Sequence, residues 1–119
     1  MPEIKLGEIE SRFADLIWTN EPLHSRGLAK MAEAALGWKP STSYTILKRL
    51  CDRGLFQNVK QTVTSLISKE EFYSIQSEKF VENTFEGSLP AFLAAFSKRK
   101  KYSEEEVERM KQILDSMRG

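Results

Sequence analysis

Three short helical patterns, each closed by a turn signal, run straight into two β-branched segments, and that order leaves the chain few folds to choose from. Ile9, Phe13, Leu16 and Ile17 recur on one face, which predicts a first helix from about Gly7 to Trp18, broken by Asn20-Glu21-Pro22. Ser25 is a good N-cap for a second helix carrying Leu28, Met31, Ala32, Ala35 and Leu36, and Gly37 is its natural stop. Trp38-Lys39-Pro40 holds the chain extended, because the residue before a proline is pushed out of the helical region. A third helix follows, capped by Ser41 or Thr42, with Ile46, Leu47 and Leu50 behind and Thr42, Thr45, Lys48, Arg49 and Asp52 in front, ending at Gly54. Residues 55–60 and 62–67 are then rich in β-branched and apolar types and read as a hairpin with a short turn around Gln61.

The remainder is helical again. Ser68-Lys69-Glu70-Glu71 has the form of a capping box opening a fourth helix with Phe72, Tyr73, Ile75, Phe80 and Val81, ending near Gly87. Ser88 or Pro90 starts a fifth with Leu89, Phe92, Leu93 and Phe96, closed by Lys98-Arg99-Lys100-Lys101, whose cations suit a helix C-terminus. Ser103 and Glu106 form a second capping box before the stripe Val107, Met110, Ile113, Leu114 and Met117. The expected fold is therefore mainly α with a small β-hairpin. Residues 1–68 make a winged helix-turn-helix and residues 69–119 a helical dimerisation region.

A length of 119 residues suits one domain, or a compact module with an assembly arm. With 40% apolar and 29% charged residues, the composition is that of a folded chain rather than a disordered tail. Cys51 is the only cysteine, which excludes an internal disulfide or a thiolate metal cluster and favours a reducing compartment. No apolar run is long enough to span a membrane, and residues 1–10 lack the core of a secretory signal, so the expected location is cytoplasmic. His24, the single histidine, has no carboxylate or cysteine at ligand spacing, and neither a phosphate-cradling glycine loop nor a nucleophile–base pair is present. No enzyme activity, cofactor or metal is expected. Cys51 beside Leu50 reads as a small buried thiol, and a redox role there would need a lowered thiolate pKa.

Three helices followed by a hairpin, within about 60 residues, is the order of a winged helix, in which the third helix enters the major groove and the hairpin reaches the flanking backbone. Lys39, Lys48, Arg49, Arg53 and Lys60 against Asp52 give that stretch a local charge of +4. Thr42, Tyr44, Thr45 and Lys48 are the candidates for base edges, and Lys39, Ser41, Arg49 and Lys60 for phosphates. The partner is then double-stranded operator DNA. Leu89, Phe92, Leu93, Phe96, Val107, Met110, Ile113, Leu114 and Met117 either fold back on their own domain or bury against a twin chain, and a twin would match two operator half-sites. Two other functions fit the pattern: a winged helix that holds a protein partner, and a regulator whose effector lies among the aromatic residues of the tail.

Along nearly its whole length the chain resembles the penicillinase-repressor (BlaI/MecI/CopY) family of bacterial winged helix-turn-helix regulators. The resemblance rests on Leu6-Gly7-Glu8-Ile9-Glu10 with Ile17-Trp18, on Gly37-Trp38-Lys39-Pro40-Ser41-Thr42, and on Leu47-Lys48-Arg49-Leu50 with Arg53-Gly54-Leu55. Leu66-Ile67-Ser68-Lys69-Glu70-Glu71, Gly87-Ser88-Leu89 and Ser103-Glu104-Glu105-Glu106 extend it. It implies a homodimeric repressor of dyad-symmetric operators, in some branches released when a membrane sensor system triggers cleavage in the dimerisation region. The chain departs from the pattern in three places. Its wing is short, with Val59-Lys60-Gln61-Thr62-Val63 at the turn; Tyr44 stands where a basic residue is common; and Ala95-Phe96 replaces the Asn-Phe cleavage point.

Overall fold

The computed structural model describes residues 6–119. In chain order the elements are α1 (Glu8–Asn20), β1 (Leu23–His24), α2 (Ser25–Leu36), α3 (Pro40–Asp52), β2 (Phe56–Val59), β3 (Thr62–Ser65), α4 (Lys69–Phe85), α5 (Leu89–Ser97) and α6 (Glu104–Ser116). The expected mainly helical chain with a small sheet is what forms. Two compact units divide it, Met1–Glu78 and Lys79–Gly119.

In the first unit the inward stripes of α1, α2 and α3 meet over one face of the sheet. Phe13 and Ile17 of α1, Leu28 and Ala32 of α2, and Leu47 and Leu50 of α3 close on Leu55, Phe56, Val63, Ile67 and Phe72 in one buried cluster. Aromatic stacking tightens both ends of it. Phe13 stacks on Trp38 at 5.0 Å between centroids, and Trp18 packs against Phe56 at 5.2 Å and Phe72 at 5.6 Å; such pairs add about 0.5–1.5 kcal/mol beyond the area they bury. The Trp18 indole N–H donates to the Ile67 carbonyl at 3.0 Å, so the half-buried ring keeps no orphan donor. Lys69 donates to Asp15, tying the start of α4 to α1.

The sheet has the order β1-β3-β2, antiparallel throughout. In the hairpin Phe56 faces Ser65 and Val59 faces Thr62, which leaves Lys60 and Gln61 as a two-residue turn. Both turn residues have positive φ, 50° and 69°, as the tightest hairpin turns demand; Asn-Gly normally fills these positions, and here neither residue is glycine. β1 was not expected from the sequence. It is only two residues long, with Leu23 opposite Val63 and His24 opposite Thr62, too short for any alternation to register.

Two N-caps also differ from expectation. The cap of α2 is His24, whose ring accepts from the Arg26 N–H, and Ser25 is the first helical residue and is buried. The cap of α3 is Lys39 rather than Ser41 or Thr42, because Pro40 fits the first helical position, where its missing N–H costs nothing. Gly37 closes α2 with φ 70°, the left-handed conformation that glycine adopts without strain, as anticipated.

In the second unit, Ser88 caps α5 through the Ala91 N–H. Ser103 and Glu106 form the full reciprocal capping box on α6. The Lys98–Lys101 run lies beyond the end of α5 at Ser97, so it is a connecting segment rather than the last helical turn. Phe80, Phe85, Phe92, Phe96 and Tyr102 follow one another ring to ring at 5.6–6.1 Å. Neither α5 nor α6 contains a buried residue. Among the described residues no helix is long and apolar enough to cross a membrane.

Candidate nucleic-acid interface

The outward face of α3 is set by the residues that it buries. Ser43, Leu47 and Leu50 point into the core; at 100° per residue the opposite side of the helix is centred on Ser41, Thr45, Lys48 and Asp52, with Thr42 and Arg49 along one edge and Tyr44 along the other. All of these are exposed, Tyr44 by 42%. Because Pro40 starts the helix, Ser41 and Thr42 lie in its first turn, where a helix entering a groove presents its side chains. Lys39 is exposed just before it, and Lys60 is exposed at the hairpin turn. Ser41, Thr42, Tyr44, Thr45, Lys48 and Arg49 thus share one surface, and Lys39 and Lys60 sit outside the helix.

Three of these side chains already have partners. The Thr45 hydroxyl donates to the Ser41 carbonyl at 2.9 Å, which leaves its oxygen as an acceptor. Lys48 pairs with Asp52 at 3.1 Å, one turn along the helix. Arg49 lies 3.8 Å from Glu10, whose carboxylate also takes Arg53 at 3.4 Å. The +4 of this stretch, in which Asp52 is already counted, is therefore further offset by Glu10 from α1. Lys48 and Asp52 are both exposed, and pairs of that kind contribute about 0–1 kcal/mol, so Lys48 can exchange its carboxylate for another anion at small cost.

Two contacts around the hairpin escaped the sequence. Glu21 at the end of α1 accepts from the Ser65 N–H at 2.8 Å and from the Ser65 hydroxyl, pinning the outgoing strand. His24 Nε2 lies 2.8 Å from Gln61 Oε1, and the Gln61 carbonyl accepts from the Ser25 N–H at 2.9 Å, joining the turn to the start of α2. No local signal marks either contact, because the partners lie far apart in the sequence.

Cys51 is half-buried on α3. Burial pushes its thiol up from the ordinary value, Asp52 pushes it the same way, and Lys48 opposes them. The lowered thiolate pKa that a redox role would require is thus reversed. Alkylation of Cys51 in the folded chain should be slower at neutral pH than that of a free cysteine and accelerate only in alkaline solution. Stopped-time labelling read by mass spectrometry checks this, and rapid labelling at neutral pH would contradict it.

The residues singled out in the tail divide into two sets. Leu89 and Leu93 of α5 and Val107, Met110, Ile113, Leu114 and Met117 of α6 line one open groove of about 370 Å³, with Lys111 at its edge. Phe92 and Phe96 belong instead to the aromatic series.

The sequence profile of the penicillinase repressor family matches residues 6–116. The chain belongs to this family. It is 24% identical over 119 residues to the penicillinase repressor of Bacillus licheniformis, covering 97% of this chain and 91% of that one. It is 20% identical over 115 residues to the methicillin resistance regulatory protein MecI of Staphylococcus aureus strain Mu50, covering 93% and 94%. The MecI of Mammaliicoccus sciuri is 19% identical over the same length. Membership makes the chain a transcriptional repressor rather than an enzyme.

Proposed function

We propose that the chain represses transcription by binding dyad-symmetric operator DNA as a homodimer, with α3 of each protomer in the major groove. On this reading residues 1–68 hold the DNA and residues 69–119 assemble the dimer. The observation that carries it is the outward face of α3: polar and basic side chains from Ser41 to Arg49 stand opposite a stripe that is fully occupied by the core. A helix is the element that fits the major groove by width, and its first turns meet base edges. Thr42, Tyr44, Thr45 and Lys48 face bases; Lys39, Ser41, Arg49 and Lys60 face phosphates. On contact Lys48 gives up Asp52, an exposed partner of small worth.

The dimer is supported by the second unit, where Ile113, Leu114 and Met117 remain 60%, 43% and 59% exposed along one groove. Contiguous apolar surface of this kind marks an interaction site. A two-fold pair of recognition helices then meets half-sites about 34–36 Å apart, or a multiple of that.

Lys48→Ala, which removes a base contact, should weaken binding to duplex DNA by about 1–3 kcal/mol, roughly a 5- to 150-fold loss. Titration of labelled duplex at fixed low salt checks it. Wild-type affinity in the variant would remove Lys48 from the interface, and failure of the unaltered chain to bind duplex DNA at low salt would end the proposal.

A further inference from the structure

We propose that His24 and Gln61 are positioning residues for the wing, a two-bond clamp that fixes the hairpin turn against α2 and so presents Lys60 to a DNA phosphate. The inference rests on the DNA-binding reading above and adds two residues that it does not include.

The bonding around His24 fixes its tautomer. Nδ1 accepts from the Arg26 N–H at 3.0 Å, so that nitrogen carries no proton. The ring proton then sits on Nε2, which donates to Gln61 Oε1 at 2.8 Å. One imidazole thereby caps α2 and holds the turn. The Gln61 carbonyl closes the second bond by accepting from the Ser25 N–H at 2.9 Å, so side chain and main chain of one turn residue both bind the start of α2.

The turn has reason to need such a clamp. Lys60 and Gln61 both sit at positive φ without being glycine or asparagine, a conformation that disfavours them locally and persists where surrounding contacts fix it. Lys60 is the one cation of the turn and is exposed. A lysine on a free hairpin tip loses conformational freedom when it meets a phosphate; on a clamped tip part of that loss has occurred on folding. The cap alone does not require a histidine at position 24, since asparagine or serine would cap α2 as well.

Two substitutions separate the clamp from stability. Gln61→Asn suits positive φ better than glutamine but is too short to keep the 2.8 Å bond. His24→Asn keeps a side-chain oxygen for the Arg26 N–H and gives up Gln61. The probe is a random-sequence duplex, whose binding is governed by phosphate contacts and whose salt dependence counts them.

Lys60→Ala should flatten the slope of log K against log salt by about 0.9 per protomer, so that affinity falls about 3-fold less per lost contact between 50 and 200 mM salt. Gln61→Asn and His24→Asn should flatten it in the same direction with melting temperatures close to the unaltered chain. Adding Gln61→Asn to Lys60→Ala should change nothing further, because the clamp acts through that lysine. Wild-type slopes for both clamp variants beside a flattened Lys60→Ala would overturn the proposal. So would a wild-type slope for Lys60→Ala itself, or a further loss in the double variant. If the unaltered chain binds no duplex, the DNA reading fails and takes this one with it.

Discussion

Ile113→Glu combined with Leu114→Glu should leave the chain monomeric where the proposed function has it dimeric, and lower affinity for a dyad operator by about two orders of magnitude or more. Both side chains line the α5–α6 groove and stand 60% and 43% exposed in the protomer, so new carboxylates there meet water while the chain is alone. In a dimer the same carboxylates would be buried facing their symmetry mates without a partner. A buried unpaired charge costs several kcal/mol, and the two-fold doubles the count. Linkage between half-sites is then lost, and with it an effective concentration of millimolar order for the second recognition helix. Helix α6 itself should survive, because the Ser103–Glu106 capping box at its start is untouched. Sedimentation equilibrium measures the mass and circular dichroism the helix content. A dimer that persists with wild-type operator affinity would place the assembly surface elsewhere.

Phe72→Ala should destabilise the first unit by about 3–5 kcal/mol, as truncation of a buried phenylalanine does when its surroundings relax only in part. Phe72 is 0% exposed on the first turns of α4, with its ring against Trp18 and edge-on to Tyr73 at 5.1 Å. It closes on the core from beyond β3, inside the first compact unit, which ends at Glu78. Against a total of about 5–15 kcal/mol for a domain of ordinary stability, such a loss moves the denaturant midpoint a long way. A change under about 1 kcal/mol would mean that the site collapses to fill the space.

The parts of the fold that could be read from residues were those with a period or a local signature. The stripe Ile46, Leu47 and Leu50 against Thr45, Lys48 and Arg49 placed the two faces of α3 without knowledge of what packs behind it. Gly37 and the Ser103–Glu106 box announced their helix ends because caps are local chemistry. What escaped depends on partners distant in sequence. Strand β1 exists because Leu23 and His24 find Val63 and Thr62. The His24–Gln61 bond spans 37 residues, and neither residue carries a mark of the other. Cap positions shifted by one to three residues where the sheet and Pro40, rather than side-chain preference, decided where helices begin. In the candidate site, the exposed cations were legible, but Glu10 reaching Arg49 and Arg53 from another helix was not.

Selection of bound sequences from random duplex DNA tests the central claim most directly, since it reads binding, symmetry and specificity together. A dimer with α3 in the major groove should enrich an inverted repeat whose half-sites are centred about one helical turn, or a multiple, apart. No enrichment, or a single site without two-fold symmetry, would contradict it.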